Sequence, residues 1–309
     1  MRVNWDKPYD NGLYATKKMI KSGHMLEIYE YGRAIRLGPK MPRAGELIKS
    51  TRNPLTPAEV LKFSANRAKK MIQRLIYANS FLWFKANGQA YQPVTVTLTF
   101  AKNIQNLKMA NYEFTKFIRR LNYETNKIEH CEDLKQSNLK YLAVFELQKR
   151  GAIHYHCIFF NMPYINQIYD RIKHIWGNGI INIGGKNKGL RKVKSQPKLQ
   201  RISTYFIKYI QKSVLKKTFF RQKKYITSKG LLKPKDSYSD EVIDMIERRL
   251  PEKALIFHYN GEYRYNNKTR EEFLKQEDTF LHWMNYWHYN LSNNQKSEEA
   301  VDEIINRYY

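Results

Sequence analysis

Cysteine is nearly absent: Cys131 and Cys157 are the only two in 309 residues, and they form no CxxC. Two isolated thiols exclude a disulfide framework and a thiolate zinc ribbon, and suit a reducing compartment. Both read as structural. Acidic residues are scarce as well, with 28 Asp and Glu against 55 Lys and Arg, a formal charge of +27. A chain so one-sided repels itself unless a polyanion neutralises it, and nucleic acid is the first candidate, ahead of an anionic membrane surface. No apolar run approaches the roughly 20 residues of a membrane helix. The opening MRVNWDKPYDNG has no apolar stretch of the kind a secretion signal needs. Repeats and low-complexity tracts are also missing. With 42% hydrophobic residues, including 23 Tyr and 15 Phe, the chain can nevertheless build a sizeable core.

Residues 1–50 mix short extended pieces with Gly- and Pro-rich turns. Thr56-Pro57-Ala58-Glu59 then has the form of a helix start, with a capping residue, a proline at the first position and a glutamate three residues on. The following helix carries Val60, Leu61, Phe63, Met71, Leu75 and Ile76 on one side and Arg67, Lys69, Lys70 and Arg74 on the other. Residues 92–100, QPVTVTLTF, alternate apolar and threonine positions, the period of a strand with one greasy and one hydroxylated face. A helix over about 104–122 follows, then a strand 141–148 joined by Lys149-Arg150-Gly151 to the stretch GAIHYHCIFF. Three loop residues ending in glycine fit a hairpin. Beyond it, 163–176 reads as a helix and 179–183 as a strand. The order β-α-β-β-α-β predicts an α+β fold of ferredoxin-like type, an antiparallel sheet with helices on one face.

Later in the chain, residues 199–214 and 240–249 read as helices. Phe257–Tyr265 reads as a hairpin turning at Asn260-Gly261. The division expected is an extension over 1–85, a catalytic domain over 86–235, and a C-terminal region over 236–309 that binds an origin or a partner.

Two constellations carry chemistry. If 149–151 form the hairpin loop, Glu146 lies opposite His154 and Val144 opposite His156. Both imidazoles and the carboxylate then share one face, with Gln148 beside them. Two imidazoles and a carboxylate, with positions left open for a phosphate oxygen, suit Mn²⁺ or Mg²⁺ better than a closed zinc site. The alternative is two packed histidines and a surface glutamate. Tyr205-Phe-Ile-Lys208-Tyr209-Ile-Gln-Lys212 is the second constellation. On a helix it stacks two tyrosines one turn apart beside two lysines one turn apart. Nearby cations favour a phenolate, the nucleophilic form of tyrosine. An amphipathic helix with packed tyrosines and solvated lysines accounts for the same pattern.

Together, VTVTLTF, ExQxRGxxHxH and YxxKYxxK resemble the HUH endonuclease superfamily, and within it the rolling-circle replication initiators of small plasmids and single-stranded DNA phages. The two-tyrosine spacing is similar to that of the microvirus A proteins. The resemblance covers about 56–235, including RAKKMIQRLIYAN before the first strand and YITSKGLLKP after the tyrosines. It implies that His154, His156 and Glu146 hold the metal, with Gln148 accessory, and that Tyr209 attacks the scissile phosphate. Tyr205 would serve as second tyrosine, Lys208 and Lys212 would steady phosphate or phenolate, and Thr97 and Thr99 would be structural.

The implied activity is site- and strand-specific nicking and rejoining of single-stranded or hairpin origin DNA through a 5′-phosphotyrosine. The setting is the cytoplasm of a bacterial host, with a separate host helicase and DNA polymerase, since the chain has no GxxxxGK[ST] loop. From Lys186 to Lys235 there are seventeen Lys and Arg and no Asp or Glu. Lys186, Lys188, Arg191, Lys192, Lys194, Arg201, Lys216, Lys217, Arg221, Lys223 and Lys224 are therefore the candidate DNA contacts. Competing readings are an HUH transposase or relaxase, and a non-catalytic single-stranded DNA- or RNA-binding protein on the same sheet. The sequence says nothing of oligomeric state.

Overall fold

Threonine-apolar alternation does make a strand, and the hairpin follows it. A computed structural model describes residues 13–37, 56–128, 138–184, 203–208, 223, 225–262 and 283–308. The chain divides into two compact units, residues 52–233 and residues 1–51 with 234–309. This differs from the division at 85 and 235 read from sequence. The 57–79 helix belongs with the histidine-bearing sheet, and the two chain ends build one unit by strand pairing rather than two extensions.

In the 52–233 unit, α1 (Pro57–Asn79) precedes β3 (Val94–Phe100), α2 (Leu107–Ile128), β4 (Tyr141–Leu147), β5 (Ile153–Phe159), α3 (Ile168–Trp176) and β6 (Gly179–Ile183), with a short β7 (Tyr225–Thr227) later. The sheet is antiparallel in the order β6-β3-β5-β4-β7. One face carries Val94, Val96, Leu98 and Phe100 of β3 and Ile153, Tyr155, Cys157 and Phe159 of β5. Phe114, Phe117 and Leu121 of α2 and Ile172 and Trp176 of α3 pack into the same core. Aromatic contacts knit it: Tyr155 stacks on Phe114 at 4.7 Å, and Trp176 meets Phe100 at 4.8 Å and Phe117 edge-on at 5.6 Å. Burial of Cys157 pushes its thiol pKa up, so this cysteine is an inert core residue. Cys131 lies outside the described residues.

The other unit was not legible as a domain. β1 (Leu13–Ser22) and β2 (Met25–Leu37) form a hairpin turning at Gly23-His24, where Gly23 has φ +58°. With β8 (Lys235–Ser237), β9 (Leu255–Glu262) and β10 (Trp283–Asn290) they make an antiparallel sheet in the order β8-β1-β2-β10-β9. Met19, Leu26 and Ile28 pack against Val242, Ile243 and Ile246 of α4 (Asp240–Glu247) and Val301 and Ile305 of α5 (Gln295–Tyr308). The helices are acidic, and β1 answers them. Lys17 Nζ lies 2.6 Å from both Asp244 and Glu247, Lys21 pairs with Asp302, and Asp240 accepts from Thr16 Oγ1 and Lys17 N at the β1 bulge.

The expected hairpin over 257–265 is corrected by this sheet. Asn260 and Gly261 lie inside β9, extended, and pair with Asn285 and Met284. A turn dipeptide yields to a longer partner strand when that strand satisfies every backbone group across it. Gly261 also gives room to a neighbour: a Cβ there would come 2.2 Å from Tyr259 Oη. The terminal acidic run, read only as a tail, is α5.

Candidate active site

Hairpin geometry decides which side chains share a face. Gly151 adopts φ +85°, its N–H donates to Gln148 O at 2.9 Å, and the ladder then pairs Glu146 with His154 and Val144 with His156. This is the register expected from a three-residue loop. On β3, Thr97 pairs with His156 and Thr99 with His154. The odd residues of β5 go to the core beneath α2 and α3, so His154 and His156 take the opposite face with Thr97, Thr99 and Glu146.

Those side chains contact one another closely. The two imidazoles stack at 4.8 Å between centroids. His156 Nε2 is 3.2 Å from Glu146 Oε2, and His156 Nδ1 is 3.2 Å from Thr97 Oγ1 and 3.3 Å from Tyr205 Oη. His154 Nδ1 accepts from Gln148 Nε2 at 3.0 Å, and Thr99 Oγ1 lies 3.5 Å from His154 Nε2. Burial, with His156 beside it, lowers the His154 pKa to about 4 against a smaller opposing pull from Glu146. His154 is therefore neutral near pH 7 and keeps a lone pair, as a metal ligand must.

Glu146 sits across the ladder from His154, yet its carboxylate reaches His156. Gln148 turns its oxygen to Arg150 Nε at 3.1 Å and its amide nitrogen to His154. Among the described residues no three of His, Cys, Asp or Glu converge as a metal cluster. What the fold brings together is a set of donors hydrogen-bonded to each other on one face.

Residues 203–208 are helical, with Ser203 and Phe206 buried and Tyr205 and Lys208 exposed. Tyr77 of α1 lies 3.4 Å from Ser203, and Tyr205 meets the His156 ring edge-on at 5.5 Å. This turn therefore holds Tyr205 against the histidine face. Tyr209 and Lys212 lie outside the described residues, as do all the candidate DNA contacts except Lys223, which is exposed.

Arg150 stands in the ExQxRG motif, but no role was read for it. It donates to Phe100 O at 2.7 Å as well as to Gln148, and so fixes the amide that orients His154. The signal was present in the motif spacing, but a loop arginine in so basic a chain does not stand out. Tyr225 is the other omission. It pairs with Val144 and so shares the face of Glu146 and His156, and burial raises its pKa. A three-residue strand after a long basic stretch leaves no periodic trace.

An α+β unit with an HxH strand, an opposed carboxylate and an adjacent tyrosine helix defines the class of site. Residues 93–214 match the family model of the replication-associated protein ORF2, a segment that runs from β3 through the helical turn bearing Tyr205. The match supports a replication-associated role. No curated protein and no solved structure gives a significant match. Among the described residues no helix is long and apolar enough to cross a membrane.

Proposed function

We propose that the chain is a rolling-circle replication initiator of the HUH type, which nicks one strand of origin DNA and later reseals it. The observation that carries the reading is the contact of Tyr205 Oη with His156 Nδ1, on the face holding His154, Glu146 and Gln148. It lies inside the segment that matches a replication-associated family.

In this reading Tyr209 attacks the scissile phosphorus as phenolate. A bond forms from Oη to phosphorus, the bond to the 3′ oxygen breaks, and the 3′-hydroxyl leaves after taking up a proton. The phosphodiester is conserved as a 5′-phosphotyrosine, so rejoining needs no ATP, and the free 3′-hydroxyl primes a host polymerase while a host helicase unwinds. Tyr205 repeats the step on the regenerated junction, which returns both strand ends to phosphodiester linkage. Lys208 and Lys212 favour the phenolate and hold the phosphate.

Two imidazoles with a carboxylate, and an amide oxygen nearby, are a donor set that suits Mn²⁺ or Mg²⁺. His154, His156 and Glu146 would hold the ion, and when bound it would withdraw charge from the phosphate oxygens. Thr97 and Thr99 hold the imidazoles in plane, and Arg150 holds Gln148 against His154. The lysine- and arginine-rich stretch over 186–235 binds the single strand by phosphate neutralisation, so affinity falls steeply with salt.

Replacing His156 by Ala is expected to abolish metal-dependent cleavage while salt-sensitive DNA binding persists. Equal loss of both would show that the histidine serves the fold.

A further inference from the structure

The sheet of the terminal unit is two-sided in charge. On one side α4 and α5 carry eight Asp and Glu, four in each helix, against two Lys and Arg. That is eight of the 28 acids of the whole chain, gathered on a layer that a polyanion avoids. On the other side the register lines up rings. Lys18 opposes Tyr29, Tyr29 opposes Tyr286, and Tyr286 opposes Tyr259, giving a row of three tyrosines ended by a lysine across four strands. The neighbouring row runs Glu27, His288, Phe257.

The rings form one patch. Tyr286 lies 4.8 Å from Tyr29, 6.2 Å from Phe257 and 6.1 Å from His288. Exposure rises outward along the row. Tyr29 is buried and Tyr286 half-buried, whereas Tyr259 at the β9 edge is 46% exposed and Phe257 is 51% exposed. Inner rings thus brace outer ones, and the outer ones face solvent without a long side chain's entropy to lose. On this face Glu27 accepts from Tyr29 Oη at 2.6 Å, and Asp236 lies on β8 beside Ile20, with β1 and β2 between it and Tyr286. The half of the face formed by β9 and β10 carries no acid.

We infer that this β9–β10 face is a base-stacking platform for single-stranded nucleic acid, with Phe257 and Tyr259 as the outer stacking rings. Ring faces on a sheet accept any base, which fits a strand that is held but not read. The platform belongs to a different unit from the histidine face and does not depend on nicking.

The test is binding without cleavage. The full-length protein is titrated into labelled oligo(dT) of about 30 nucleotides, longer than a usual single-strand site, with EDTA present. Replacing both Phe257 and Tyr259 by Ala is expected to weaken binding about tenfold or more, as for two lost stacking rings. The salt slope should stay unchanged, because no charge is removed. Tyr259→Phe keeps the ring and is expected to bind like the unaltered protein. Ultraviolet cross-linking of the unaltered protein to the same probe should give thymine adducts within 255–262 and 283–290. Unchanged affinity in the double variant, adducts confined to 52–233, or a changed oligomeric state with unchanged affinity would overturn the proposal. The last result would make the face a protein interface.

Discussion

Glu146→Gln separates a metal ligand from a packing partner. In the structure the Glu146 carboxylate is mostly buried and touches His156 Nε2 at 3.2 Å. Glutamine has the same length and still offers an oxygen acceptor or an amide donor at that place. If the residue only braces the imidazole, the cost is at most one exchanged hydrogen bond, about 1 kcal/mol. The metal-free protein should therefore unfold in urea with a midpoint close to that of the unaltered chain. If Glu146 supplies the anionic oxygen, the substitution weakens ion binding by on the order of 10–100-fold. Nicking of a single-stranded origin oligonucleotide, measured across a Mn²⁺ titration, should then need correspondingly more metal, with DNA binding in EDTA unchanged. A variant that nicks at the same Mn²⁺ concentration as the unaltered protein would refute the assignment of Glu146.

Two further outcomes follow from other contacts. Burial raises the Glu298 pKa, but the His24 hydrogen bond and charge, and Lys21, outweigh it and leave the carboxyl below its usual range. Its contribution to stability is present above the unfolded carboxylate pKa and is lost as pH falls through the lower folded value. Glu298→Gln should flatten the acid limb of a stability–pH curve, and an unaltered limb would contradict this. At Gly179, φ is +152° and a Cβ would lie 2.3 Å from Thr99 O and 2.5 Å from Ala101 N. Gly179→Ala should cost about 2–4 kcal/mol in urea unfolding as β6 is forced off β3, and an unmoved midpoint would contradict the pairing.

The histidine hairpin was legible because a loop of three residues with glycine in the left-handed position leaves one register, and period two then assigns every face. The α+β character was legible for the same reason: VTVTLTF and the helical stripe of Phe114, Phe117, Ile118 and Leu121 state their periods plainly. The terminal unit was not. Its sheet joins residues near 20 to residues near 287, and pairing at that separation leaves no local signature. Asn260-Gly261 misled because a turn dipeptide is a local preference, and the β10 ladder overrode it. At the site, residue types and register were readable, but side-chain choice was not. Which imidazole the Glu146 carboxylate meets, and which end of Gln148 faces His154, depend on Thr97, Thr99 and Arg150 together.

The central claim is covalent chemistry at a tyrosine. The decisive measurement is a denaturing gel of the full chain incubated with Mn²⁺ and labelled single-stranded oligonucleotides spanning the origin of its own replicon. The account predicts a covalent protein–DNA adduct that EDTA prevents and that disappears when Tyr205 and Tyr209 are both changed to Phe. No adduct, or one that survives the double change, would contradict it.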